Sequence, residues 1–259
     1  MGSRKLQRKK HGRIEMTGIA GTEISRNVQD SSRRKLARLA GFLYLAYIVL
    51  FASATFIQHK PFVWDDPTAM ARNIADSELM IRIGFMSTIV ADLFFLSTAW
   101  ALYVLLKPVG KNLALLFVLF NLTGVAVECV YTLIHFDALM LLGRSDYLHA
   151  FKPDQLQALS MFFLSLSGSG NMILTLFYGV WLFPLGYLVY KSGFLPRTLG
   201  VLLLLDGLSL MICFIQLCLF PGHEKLMYPL YPIMFIAEFG LAMWLIIKGV
   251  KEQIVESSS

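Results

Sequence analysis

The chain has 259 residues, 56% of them hydrophobic and 15% charged, with a formal net charge of +6. A soluble domain carries charge on roughly a quarter of its residues, so a water-exposed globule is excluded and lipid must solvate much of the exterior. The Lys and Arg residues gather at the ends of apolar runs, so the positive excess points to membrane orientation and away from nucleic acid.

Residues 1–33 are polar and basic without apolar periodicity, and read as a disordered cytoplasmic tail for which Met16 is an alternative start. Six apolar runs follow, at 36–58, 79–106, 112–142, 161–190, 198–220 and 228–247. Each reaches the roughly 20 residues that cross about 30 Å of hydrocarbon. An all-α, polytopic bundle of six transmembrane helices over residues 34–250 is the expected fold, with 251–259 as a second short cytoplasmic tail. The first run ends in Ala52-Ser53-Ala54, which has the form of a signal-peptidase site. Its apolar stretch exceeds the ~7–15 residues of a signal core, so the span is expected to be retained.

Further along, 107–111 and 191–197 are tight turns between spans. Asp154 after Pro153 reads as the N-cap of the fourth span, and Pro184 is placed to kink that span. Gly168-Ser169-Gly170 lacks the strand and lysine of a phosphate loop and is expected to let helices approach closely. Pro229 and Pro232 fall in the first turn of the sixth helix, where a missing N–H is tolerated. Counting by side, 17 Lys and Arg fall with the tail and its matching loops and 6 on the opposite side. The bias places both termini in the cytoplasm and the chain in the cell membrane.

Four acids fall deep in spans: Asp92, Glu128, Asp206 and Glu238. Arg82, the nearest cation, lies ten residues from Asp92, or about 15 Å along a helix. An ionised carboxylate at a helix centre costs about 2.5–3.5 kcal/mol, so four bare anions facing lipid would cancel a typical domain's stability. They must carry protons, or share protons, cations or water inside the bundle. Neighbouring polar residues keep 3/4 spacing with them: Asn121, Gly124, Tyr131 and His135 with Glu128; Ser209, Cys213 and Gln216 with Asp206. Gly168, Asn171, Thr175 and Tyr178 make a similar stripe on the fourth span, and Tyr44, Tyr47, Ala54 and Gln58 on the first. Such stripes turn toward other helices or an aqueous cavity.

Two readings of the acids stand. In one they hydrogen-bond between helices and give packing specificity alone. In the other they bind or pass a proton, small cation or small cationic molecule, with Asp92, Glu128, Asp206, Glu238, Asn121 and His135 as the binding residues. An intramembrane lipid-modifying enzyme, with an acid as general base and His135 assisting, is an alternative, as is a non-catalytic accessory subunit. No catalytic residue is named. His59, His149 and His223 come from separate segments without metal-ligand spacing, and only His135 is placed for haem. No metal or cofactor is expected, and the partners are the lipid bilayer and a small ligand or ion.

Several stretches resemble a bacterial membrane family known as domain of unknown function 4386. They are Arg-Lys-Leu-Ala-Arg-Leu-Ala-Gly-Phe-Leu-Tyr (34–44), Ser-Glu-Leu-Met-Ile-Arg-Ile-Gly (77–84) and Phe-Lys-Pro-Asp-Gln-Leu-Gln-Ala-Leu (151–159). Gly-Tyr-Leu-Val-Tyr-Lys-Ser-Gly-Phe-Leu-Pro-Arg-Thr-Leu-Gly (186–200) is the most specific, and Glu-Phe-Gly-Leu-Ala-Met-Trp-Leu-Ile-Ile-Lys-Gly (238–249) the last. The resemblance covers residues 34 to 250 and implies a multi-span membrane protein; it supplies no activity and no site residues.

Overall fold

A computed structural model describes residues 3–59, 73–74, 76–142 and 150–250, without the side chains of 3–29, 59, 153, 224 and 226. Its helices are α1 (Ser3–His59), α2 (Glu78–Leu106), α3 (Lys111–Met140), α4 (Pro153–Val180), α5 (Leu182–Lys191), α6 (Arg197–Leu219) and α7 (Tyr231–Ile247), with a 3-10 turn at Glu224–Met227. The described residues contain no strand. The tail expected to be disordered is drawn, from Ser3 on, as the first part of α1.

Five segments are long and apolar enough to cross a membrane, the first being the Asp30–Gln58 part of α1 and the fourth the 38-residue run Asp154–Lys191. The sixth span, α7, has 17 residues, about 25 Å of helix, and the turns before it add to its reach. These are the six expected spans. The fourth is divided at Trp181, between α4 and α5. Pro184 has no N–H for the carbonyl of Val180, so the helical ladder loses a rung there, while Trp181 itself keeps α-helical dihedrals.

Two local expectations are corrected. α4 begins at Pro153 with Lys152, not Asp154, in the capping position, and the Gln155 side chain accepts from the Lys152 backbone N–H at 3.0 Å. Asp154 instead places its charge in the first turn, where it complements the helix dipole. Only Pro232 lies in the first turn of α7; Pro229 precedes the helix.

Each span packs on its neighbours in sequence, and α7 returns to pack on α1, so the six spans form a closed antiparallel ring. Small residues set the tightest seams. A Cβ on Gly41 of α1 would lie 2.8 Å from the Ala242 carbonyl oxygen of α7. A Cβ on Gly200 of α6 would lie 2.6 Å from the Tyr190 nitrogen of α5. Such close approach is how helices associate in lipid, where burial of apolar surface drives little.

Aromatic rings fill the middle of the ring of helices. Tyr47 stacks on Phe95 with centroids 4.1 Å apart and planes 9° apart. Phe95 in turn meets Tyr178 edge-on at 5.2 Å and Trp181 at 5.1 Å. Tyr44 stacks beside Tyr47 at 6.1 Å and reaches Trp181 at 6.5 Å. Offset and T-shaped contacts of this kind suit ring quadrupoles, and the cluster joins α1, α2 and the α4–α5 break into one plug.

Candidate carboxylate site

The four acids do not converge on one point; they form two pairs. Asp92 of α2 and Glu128 of α3 are adjacent and interact directly. Asp206 of α6 and Glu238 of α7 are close enough for their charges to act on one another. Measured along their helices from the ends on the same side as the N-terminal tail, the first pair lies about 21–26 Å deep and the second about 14 Å. Asp92, Glu128 and Asp206 are 2%, 0% and 1% exposed, so the bundle shelters them from lipid as the cost of a bare charge demands. Glu238 is half-buried, on the flank of α7 that faces Tyr44 of α1.

Besides the contact between the two acids themselves, each acid of the outer pair accepts from one donor at one oxygen. The Tyr178 hydroxyl of α4 donates to Glu128 Oε2, while Glu128 Oε1 has no partner. The Cys129 thiol donates to Asp92 Oδ2 at 3.6 Å, while Asp92 Oδ1 has none. Gly124 makes the first contact possible, because a Cβ there would lie 2.6 Å from Tyr178 Cε1. The inner pair is barer still. Both Asp206 oxygens lack a hydrogen bond, and the buried Tyr44 hydroxyl faces Glu238. Buried polar atoms in folded proteins nearly always find a partner, and two carboxyls in contact find one in each other only by sharing a proton.

A cavity of about 420 Å³ lies between the outer halves of α1–α4. Its lining includes Gln58, Thr88, Tyr131, Thr132, His135 and Asn171. Gln58 Nε2 donates to Thr88 Oγ1 at 3.0 Å, and Ser167 Oγ lies 3.3 Å from His135 Nδ1. Thr88 and Thr132 each stand one helical turn outward of Asp92 and Glu128 on the same faces, about 6 Å away. Neither acid lines the cavity itself; its lining comes nearest to them along the helices at Thr88 and Thr132. Its lining has no Lys or Arg; the Arg82 guanidinium at the start of α2 is instead bound to Glu78 at 2.7 Å.

Among the expected binding residues, Asp92 and Glu128 are brought together and His135 lines the cavity above them. Asn121 is fully buried two turns inward of Glu128, both of its amide atoms without partners. The α6 stripe Asp206, Ser209, Cys213 and Gln216 is buried throughout. Tyr178 and Cys129 are the additions. Tyr178 was legible as part of the α4 stripe; Cys129 gave no sequence signal beyond following Glu128. Among the described residues no three His, Cys, Asp or Glu side chains converge as a metal site. His149 and the His59 side chain lie outside them, and His223 is exposed.

A protein of Archaeoglobus fulgidus, named only as an uncharacterized protein, is 34% identical over 178 residues, spanning 68% of this chain and 88% of the relative. No solved structure matches. The family model "Domain of unknown function (DUF4386)" matches residues 39–249, nearly all of the membrane-spanning part. The chain belongs to the family with that description.

Proposed function

We propose that this membrane protein lies in the cytoplasmic membrane with both termini inside, and binds or passes a proton, small cation or small cationic molecule at Asp92 and Glu128. The observation that carries the reading is the contact of two buried acids whose Asp92 Oδ1 and Glu128 Oε1 accept from no donor, one helical turn from a cavity lined in part by Gln58, Thr88, Thr132 and His135. Two adjacent acids accept a shared proton or a cation readily and repel anions. They also repel each other when both are charged, so an added positive species relieves the pair.

The test is thermal unfolding of the purified full chain in detergent across pH and across sodium, lithium and tetramethylammonium. At least one of these variables should shift Tm in the native chain through the outer pair. That shift should vanish in Asp92→Asn and Glu128→Gln and persist in the exposed Asp137→Asn. Should the double variant respond like the native chain throughout, the acids are structural and the reading is lost.

A further inference from the structure

We propose that Ser167 of α4 and His135 of α3 are a nucleophile and its base, and that they cleave carboxylic esters of amphipathic molecules dissolved in the membrane. The proposal goes beyond the acid-pair reading and uses neither Asp92 nor Glu128.

The geometry begins with a hydroxyl that leaves its own helix. Ser169 and Thr175 of α4 donate to carbonyls one turn back, those of Ser165 and Asn171, the usual habit of helical hydroxyls. Ser167 is turned across to α3, where its Oγ lies 3.3 Å from His135 Nδ1. With the ring proton on Nε2, Nδ1 accepts from the serine, the arrangement that makes a hydroxyl a nucleophile. Such contacts are commonly this loose before substrate binds. Both side chains line the cavity of about 420 Å³, a size suited to a small ligand. Asn171, one turn along α4 from Ser167, lines it too, as does Thr132, one turn before His135 on α3. Unlike the hydroxyls of Thr88 and Thr123, the buried Thr132 hydroxyl makes no bond to the carbonyl one turn back, which leaves its proton for a ligand.

Depth and access point to the substrate. His135 lies 24 residues from Lys111, and Ser167 lies 24 from Lys191, the ends of their spans on the tail's side. At 1.5 Å per residue each is about 36 Å from that end. Lysines at span ends stand at headgroup level, and the hydrocarbon is about 30 Å thick, so the pair lies at its far edge. An ester dissolved in the membrane rests its carbonyl at that edge, with the chain in hydrocarbon and the polar end toward water. α6 stops short of this level. Cys218, next to its last residue, meets Met172 of α4, sulfur to sulfur, at 3.3 Å, and Ser167 is five residues, or about 7.5 Å, further out. The cavity wall accordingly comes from α1–α4, with nothing from α6 or α7, and Phe51 and Leu164 give it apolar surface for the start of a chain.

In the reaction, Ser167 Oγ attacks the ester carbonyl carbon while its proton passes to His135 Nδ1. The oxyanion that forms accepts from the Asn171 amide and the Thr132 hydroxyl. The carbon–oxygen bond to the alcohol then breaks, and the alcohol departs with the proton held by His135. Water loses a proton to His135 and attacks the acyl-serine. The acid leaves, Ser167 recovers its proton, and one ester and one water have become one acid and one alcohol.

The experiment uses the purified full chain in detergent micelles, a fluorophosphonate probe that phosphonylates activated serines, and the p-nitrophenyl esters of acetate and decanoate. The native chain should take up the probe at Ser167, located by mass spectrometry of the labelled peptide. It should also release nitrophenol faster from decanoate than from acetate. Ser167→Ala should abolish both reactions. His135→Gln should slow both by about a hundredfold, the scale of general-base participation. Ser169→Ala, which removes a hydroxyl held on its own helix, should react as the native chain does. A native chain that takes up no probe, an adduct found only on other serines, or native rates in His135→Gln overturns the pair; the first two readouts need no variant to fold. Acetate cleaved as fast as decanoate overturns the membrane-dissolved substrate. None of these outcomes alters the Tm response at Asp92 and Glu128, so the two proposals stand or fall separately.

Discussion

Tyr178 and Glu128 lie fifty residues apart in the chain and meet in a single hydrogen bond, so the value of the acid itself can be separated from the value of the contact. Tyr178→Phe leaves a second buried carboxylate oxygen unpartnered and is expected to cost about 1–3 kcal/mol. Glu128→Gln keeps a carbonyl oxygen for the tyrosine and removes an ionisable group from a buried position. It is expected to be at least as stable as the native chain, as when a group is kept for activity at the expense of stability. Thermal unfolding in detergent reads both. Should Glu128→Gln lose more than Tyr178→Phe, the acid is a structural requirement and the functional reading weakens. At this scale the sequence was informative about which residues mattered. Acids far from cations in apolar runs stand out because hydrocarbon penalises them. It was silent on pairing, since nothing local to Asp92 says that its neighbour is Glu128.

At the level of helices, the contact of α3 with α4 depends on where side chains are missing. Gly124 and Gly168 are both helical glycines, with opposite surroundings. A Cβ on Gly124 would run into the Tyr178 ring, while a Cβ on Gly168 meets nothing within 4 Å. Gly124→Ala is expected to lose about 1–3 kcal/mol through overpacking and to displace Tyr178 from Glu128. Gly168→Ala should stay within about 0.5 kcal/mol, checked by unfolding of the two variants side by side. Gly170 carries the close approach expected of the Gly168-Ser169-Gly170 segment, its added Cβ meeting Tyr131. The sequence placed all six spans because hydropathy over ~20 residues is a strong signal. It could not show that Trp181 is the point of division, because a proline upsets the ladder upstream of itself. Nor could it show that Phe95, an ordinary apolar residue in an apolar run, is the hub of the central plug.

Across the whole molecule, the closed ring of antiparallel spans fixes which loops share a side of the membrane. With the tail inside, Val109 in the turn after α2 is cytoplasmic and Asn73 before α2 is external. Single-cysteine variants Val109→Cys and Asn73→Cys, in a chain with Cys129, Cys213 and Cys218 replaced, should therefore label from opposite faces of intact cells. Labelling of Asn73→Cys only after permeabilisation would invert the topology. The pairs of acids also divide by half of the chain, Asp92 with Glu128 in the first three spans and Asp206 with Glu238 in the last three. The ring further determines the order in which the protein can be assembled as it is made. Each new span can settle on the one before it, but α1 waits for α7, the last to be synthesised, before its exposed flank is covered. Until that final helix arrives, Asp206 has no acidic neighbour and Tyr44 no Glu238 beside it. A chain cut short by even its last span would thus display raw polar groups within the bilayer, where hydrocarbon penalises them.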